Sequence, residues 1–227
     1  IGVNNQYYFT PETSSKISIY YNNTNRDYLF DFSGFESTSS YEGQSLHVEN
    51  HNIIPIESLQ SKIMTGLEFI HQEINSFSEP VHDSAERDQY GSYIYSQSSL
   101  IKDRFDLALG FRLTHVTDIS KTFPTFESSI VLQLPEILGR IHSSIAQGFR
   151  APTLFESQGQ MQDFNTGEII TVGNDNLEEE ESRSWDIGYE QKVGTDKLIA
   201  DLTFFQIKSD QTILFDYPNI THVNGGW

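Results

Sequence analysis

Arg104-Phe-Asp-Leu-Ala-Leu-Gly-Phe-Arg-Leu-Thr-His-Val116 is the stretch whose reading decides the fold. Phe105, Leu107, Leu109, Phe111 and Leu113 fall on one parity, while Arg104, Asp106, Ala108, Gly110, Arg112 and Thr114 fall on the other. Successive side chains of a strand point to opposite faces, so this period of two predicts a strand with one apolar and one polar face. The pattern recurs from Arg183 to Val193, where Trp185, Ile187, Tyr189 and Val193 oppose Ser184, Asp186, Gly188, Glu190 and Lys192. It recurs again over Leu198 to Lys208, where Ile199, Phe205 and Ile207 blur the polar side, and in weaker copies at Lys16 to Asn22, Lys62 to Gln72, Ser128 to Leu134 and Arg140 to Gln147.

Outward from these runs, the connections come in two lengths. Pro11 to Ser14, Leu100 to Asp103, Pro135 to Gly139 and Gly194 to Lys197 predict tight turns. Asp27 to Tyr41, Phe77 to Arg87, Phe149 to Ser182 and Gln211 to Thr221 predict longer loops. Short and long links alternate except at Asp118 to Thr122, which puts the turns at one end of about eleven strands and the loops at the other, as in outer-membrane barrels. A soluble β-sandwich also alternates. Sandwich strands run to about five or six residues, whereas the Arg104 run is long enough to cross hydrocarbon when tilted. Rings near run ends, including Tyr90, Tyr93, Tyr95, Phe123, Phe126, Trp185 and Tyr189, suit interfacial girdles.

The composition of the 227 residues excludes several chemistries. Lys plus Arg number 14 against 32 Asp plus Glu, a net charge of −18 that repels nucleic acid. There is no Cys, hence no disulfide framework, thiolate metal site or thiol catalysis. No run of about eighteen apolar residues predicts a transmembrane helix. Neither a nucleophile-elbow, a phosphate loop nor an HExxH motif is present, so catalytic residues, resident cofactors and metal ligands are not expected. His47 and His51 are too far apart along a strand to share one ion. In the run Glu178 to Glu181, alternating directions let at most two carboxylates meet, which predicts a solvated face.

From Asp88 to Gly225 the chain carries more than periodicity. Ile145-Ala-Gln-Gly-Phe-Arg-Ala-Pro-Thr-Leu-Phe-Glu156 resembles the GFRAPT strand end of TonB-dependent outer-membrane receptors. In order after it, Gly173-Asn-Asp-Asn-Leu-Glu-Glu-Glu-Glu-Ser182 is similar to that family's NPNL loop, and Ser184-Trp-Asp-Ile-Gly-Tyr-Glu190 to its next strand. Leu202 to Ile213 resembles the following hairpin and His222-Val-Asn-Gly225 the strand beyond it, while Asp88 to Tyr95 and Phe105 to Arg112 resemble the strand pair that precedes the block. Asp175 replaces the loop's usual Pro, and Glu178 and Glu180 stand about where a Lys-Pro pair is usual.

The resemblance implies an all-β chain: an antiparallel transmembrane β-barrel fragment over residues 1–227, roughly the middle half of a plugged barrel of about twenty-two strands, with plug domain and closing strands absent. It implies a Gram-negative outer-membrane receptor and transporter, not an enzyme, that takes up a large scarce nutrient such as a ferric siderophore or a cobalamin-like complex. Its partners would be outer-membrane lipid, a small-molecule or metal-chelate ligand and, through the missing plug, the TonB energy-coupling complex. The long loop, about residues 149–182, supplies the candidate ligand contacts Phe149, Arg150, Phe155, Gln158 and Phe164. Arg150 has a competing role, pairing with Glu156 or Glu179 to order that loop. Haem uptake would need a loop His, and residues 153–173 contain none. Two other functions fit period two: a secreted glycan-binding β-sandwich and an outer-membrane barrel hydrolase.

Overall fold

The computed structural model describes residues 1–32, 35–78, 81–162, 169–194, 198–216, 218–219 and 221–225. In chain order the strands are β1 Gly2–Tyr8, β2 Ser14–Phe32, β3 Phe35–Ile56, β4 Ser61–Ser78, β5 Val81–Ile101, β6 Phe105–Val116, β7 Lys121–Leu134 and β8 Gly139–Arg150. A one-turn helix α1, Leu154–Gln158, follows, then β9 Gln160–Gln162, β10 Ile169–Val172, β11 Glu180–Val193, β12 Leu198–Asp210, β13 Thr212–Asp216 and β14 Thr221–Gly225. Ten strands form one antiparallel sheet in the order β1-β2-β3-β4-β5-β6-β7-β8-β11-β12, and the remaining four form a second sheet in the order β13-β14-β10-β9. Among the described residues no helix is long and apolar enough to cross a membrane.

Neighbouring strands in the large sheet follow one another in sequence except across β8 and β11, so it is a meander whose end strands β1 and β12 are not paired to each other. The wall is thus an open arc of a barrel. Its facing follows the alternation. Leu109, Phe111 and Leu113 are 50%, 46% and 39% exposed, while Ala108 and Thr114, which flank them on the other parity, are buried. Register carries this outer face across the sheet, through Ile94 and Phe126 beside Phe111 and through Trp185, Ile187 and Tyr189 on β11. Large exposed apolar side chains on one face, with polar residues on the other, are what a wall between lipid and a wet interior requires.

Four of the strands that precede β6 are longer than their apolar patterns predict. β2, β3, β4 and β5 contain 19, 22, 18 and 21 residues, where about 9–11 suffice to cross the hydrocarbon. Their outer face changes from Leu46, Phe69 and Tyr90 to Gln44, His71 and Asp88, which marks where the wall leaves the apolar layer. The stretches expected to be loops at 27–41 and 77–87 are largely ladder: β2 and β3 pair up to Phe32 and Phe35, and β4 and β5 up to Ser78 and Val81. An antiparallel ladder satisfies its own backbone in water as in lipid and needs no apolar face to continue. Turns at the opposite end are short. Two of them, Glu57–Leu59 and Pro135–Ile137, are single 3-10 turns ended by left-handed Gln60 and Leu138.

Candidate functional site

The β8–β11 connection gathers at the loop end of the wall. β8 ends at Ala151-Pro152, where Pro removes a ladder donor; Pro152 is among the largest side chains fully buried. Thr153 then caps α1 through a reciprocal box: its hydroxyl accepts from the Glu156 amide at 3.1 Å and the Glu156 carboxylate accepts from the Thr153 amide at 2.7 Å. Leu154 and Ser157 are the buried residues of the helix, and Leu177 and Ile213 are buried in the loop and second-sheet segments. One short motif therefore ends a strand, turns the chain and caps a helix.

Arg150 joins the two ends of the connection. Its Nε and Nη2 reach the two oxygens of Glu180 at 2.7 and 2.9 Å, and Nη1 and Nη2 reach those of Glu156 at 2.8 and 3.3 Å. Glu180 is the register partner of Arg150 at the start of β11. Its Oε1 also accepts from the Ile213 amide at 2.7 Å, which ties in the second sheet. These groups lie above Trp185, the highest large apolar residue on the outer face of β11. The paired carboxylates hold the guanidinium more basic than usual, Glu180 first and Glu156 next. Burial pushes the Glu156 carboxyl up, but Arg150 and the Thr153 amide outweigh it and hold it below the usual range. Arg150 holds Glu180 low in the same way.

Each acidic residue of the 178–181 run takes a separate direction. Glu178 accepts from Gln211 at 2.9 Å, Glu179 pairs with Lys121 at 2.8 Å, Glu180 with Arg150, and Glu181 faces outward and exposed. The expected Glu179 partner of Arg150 is thus replaced by Glu180. Asn224 of the HVNG motif stitches this loop to the second sheet, accepting from the Glu178 amide at 2.7 Å and donating to the Glu178 and Gln211 carbonyls at 2.9 and 2.8 Å. Its strand, β14, pairs in the small sheet rather than continuing the wall.

Of the candidate ligand residues, Phe149 stacks on Phe123 with centroids 4.2 Å apart. Phe155 is half-buried, edge-on to His222 at 6.3 Å, and Gln158 is exposed. Phe164 lies outside the described residues. The structure brings Arg150 and Phe155 into one neighbourhood through Glu156, and adds His222, which sits edge-on to Phe215 at 5.2 Å.

A second polar group on the inner face escapes sequence reading because its members lie on four strands. Glu68 accepts from His47 at 2.9 Å and pairs with Arg112; the Tyr93 hydroxyl donates to Glu49 at 3.0 Å and lies 2.6 Å from His51 Nδ1. With the one hydroxyl proton given to Glu49, His51 Nδ1 is the donor. Tyr93 lies across its register partner Gly66, where a Cβ would stand 2.2 Å from the ring. No group of three or more metal-ligating side chains occurs among the described residues, and His47 and His51 take separate partners.

A family profile described as TonB dependent receptor-like, beta-barrel matches residues 1–226. The chain belongs to the TonB-dependent receptor family. Its wall is therefore part of a Gram-negative outer-membrane barrel, and the family match includes residues 1–87, which carry none of the motifs. Solved structures agree in fold. The siderophore receptor PirA from Pseudomonas aeruginosa is 17% identical, with a TM-score of 0.71 over 97% of this chain and 49% of its own. A variant of the ferric enterobactin receptor PfeA from Pseudomonas aeruginosa is 16% identical, with a TM-score of 0.75 over 90% of this chain and 33% of its own. The copper transporter OprC is 14% identical, with a TM-score of 0.75 over 98% of this chain and 40% of its own. The chain thus spans between a third and a half of these receptors. No curated protein is significantly similar to it.

Proposed function

We propose that the complete receptor takes up a large, scarce nutrient complex across the outer membrane, with a ferric siderophore as the first candidate, a cobalamin-like complex as the second and energy supplied through the TonB complex. The observation that carries this reading is the ordered cap at the loop end: α1 and the small sheet are fastened over a polar-faced wall by the Arg150–Glu156–Glu180 group. Such a cap gives a chelate a structured place to land. The names of the similar PirA and PfeA structures support iron, and OprC keeps a metal other than iron in view.

Phe155 and Gln158 are the proposed contact residues of this cap, and Phe149 and Phe164 complete the proposed set. Arg150 is assigned to ordering the connection, since four hydrogen bonds to two carboxylates already occupy its guanidinium. No catalytic step is assigned. The test is uptake of labelled ferric enterobactin and of labelled cobalamin by cells with and without the complete receptor. Receptor-dependent, TonB-dependent uptake of either supports the reading; equal uptake of both in the two strains overturns it.

A further inference from the structure

Polar groups buried in a protein are nearly always hydrogen-bonded, and an exception calls for a cause. Among the described residues one side-chain atom is such an exception: Nδ1 of His222, which is shielded from solvent and has no hydrogen-bond partner. It lies in the cap, on β14, and not on the wall. The residue as a whole is only half-buried, so its ring stands close to the surface of the cap.

The surroundings hold this residue in place. Asn174 Nδ2 donates to the His222 carbonyl at 2.8 Å, and the Asn174 amide donates to the Glu156 carbonyl at 3.0 Å, so β14 is tied to α1. Register sets His222 opposite Phe215 of β13, whose ring stands edge-on to it at 5.2 Å, and Phe155 of α1 stands edge-on at 6.3 Å. Phenyl edges supply no partner for a ring nitrogen, so the fold desolvates Nδ1 without compensating it. A group that later meets such an atom gains a hydrogen bond without first stripping its water, and a preorganised contact of this kind adds affinity.

Other polar groups of the cap are committed. Arg150 is occupied by Glu156 and Glu180, Lys121 by Glu179, and Asn224 by backbone groups of Glu178 and Gln211. What His222 offers is a ring nitrogen beside two phenyl rings. That setting suits a ligand that is aromatic and carries oxygen.

We propose that His222 is a ligand-recognition residue of the cap, whose Nδ1–H donates to an oxygen of an aromatic ferric chelate of the catecholate type. An aromatic group of the chelate packs against Phe155 and Phe215. The Phe155 side chain turns aside to admit it, a rotamer change of the kind common on binding, while Asn174 keeps the backbone of β14 in place. This role presupposes the uptake reading above and narrows its ligand to the aromatic chelates.

The test is titration of the purified complete receptor with ferric enterobactin, an aromatic chelate, and with ferrichrome, an aliphatic one, alongside limited proteolysis of the β8–β11 connection at neutral pH. Replacing an unsatisfied buried nitrogen by apolar carbon does not weaken the packing around it. His222→Phe should therefore leave the cap as resistant to protease as before and weaken ferric enterobactin binding about 10-fold, the scale of one hydrogen bond. His222→Asn, whose amide nitrogen stands near the place of Nδ1, should recover most of that loss. Ferrichrome should bind more weakly than ferric enterobactin and be indifferent to His222→Phe. An affinity for ferric enterobactin unmoved by His222→Phe overturns the role of His222 alone. So does a loss that comes with faster proteolysis, or one that His222→Asn does not relieve. Failure of the unaltered receptor to bind either chelate overturns the uptake of ferric chelates and this role with it.

Discussion

At Arg87 and Asp118 the governing fact is burial. Nε of Arg87 reaches Asp118 Oδ1 at 2.8 Å, and the two side chains are only 3% and 7% exposed, unlike the open pair Arg104–Glu136. Removing one partner of such a pair strands a buried charge, so Arg87→Met should cost about 3–5 kcal/mol, whereas Arg87→Met with Asp118→Leu should recover most of the loss. Denaturant unfolding of the two variants checks this. Arg150 is half-open, and solvent screening reduces its weight. Its pH behaviour is more informative. Glu156 and Glu180 have folded values below the usual carboxylate range, so their contribution is fully present above the unfolded value of roughly pH 4.3 and is lost as pH falls through the lowered folded values. Proteolysis of the β8–β11 connection should accordingly stay constant from neutral pH to about pH 5 and rise below about pH 4; a rise between pH 8 and pH 6 would contradict the pairing.

For the strands, the lipid-facing parity makes unequal demands on neighbouring positions. Leu109→Arg puts a guanidinium into hydrocarbon and should destabilise the inserted barrel by about 2–4 kcal/mol, while Asp106→Asn on the inner parity should cost far less; comparing their unfolding in lipid vesicles tests the facing. These same elements show what sequence could reveal. β6 and β11 were legible because lipid on one side and water on the other impose strict alternation. β3 was not, because Asn50 and Asn52 interrupt its apolar parity and Ser40, Glu42 and Gln44 continue it in water, where either face may be polar. Of the site, the Arg150–Glu156 pair was legible as a contact six residues apart. Glu180 was displaced by one from the expected Glu179, because the onset of β11, a tertiary pairing, decides which carboxylate points inward. His222 and Asn224 reach the cap only through the small sheet, which no local pattern announces.

Across the whole molecule, the described strands make an arc and a cap, and both ends of the arc present unpaired ladder groups. Backbone polar groups cannot face hydrocarbon unsatisfied, so the wall is stable in a membrane only when further strands complete it. The isolated chain should consequently fail to insert as a heat-modifiable monomer, whereas the complete receptor should do so; gel migration with and without boiling distinguishes the two. The central claim beneath all of this is that one face of the sheet touches lipid. Site-directed nitroxide scanning from Phe105 to Leu113 in the complete receptor tests it most directly. Oxygen accessibility should peak at residues 105, 107, 109, 111 and 113 and fall between them, with a water-soluble nickel chelate showing the opposite phase. Low accessibility to both reagents at Leu107, Leu109 and Phe111, as in a packed apolar core, would contradict the account.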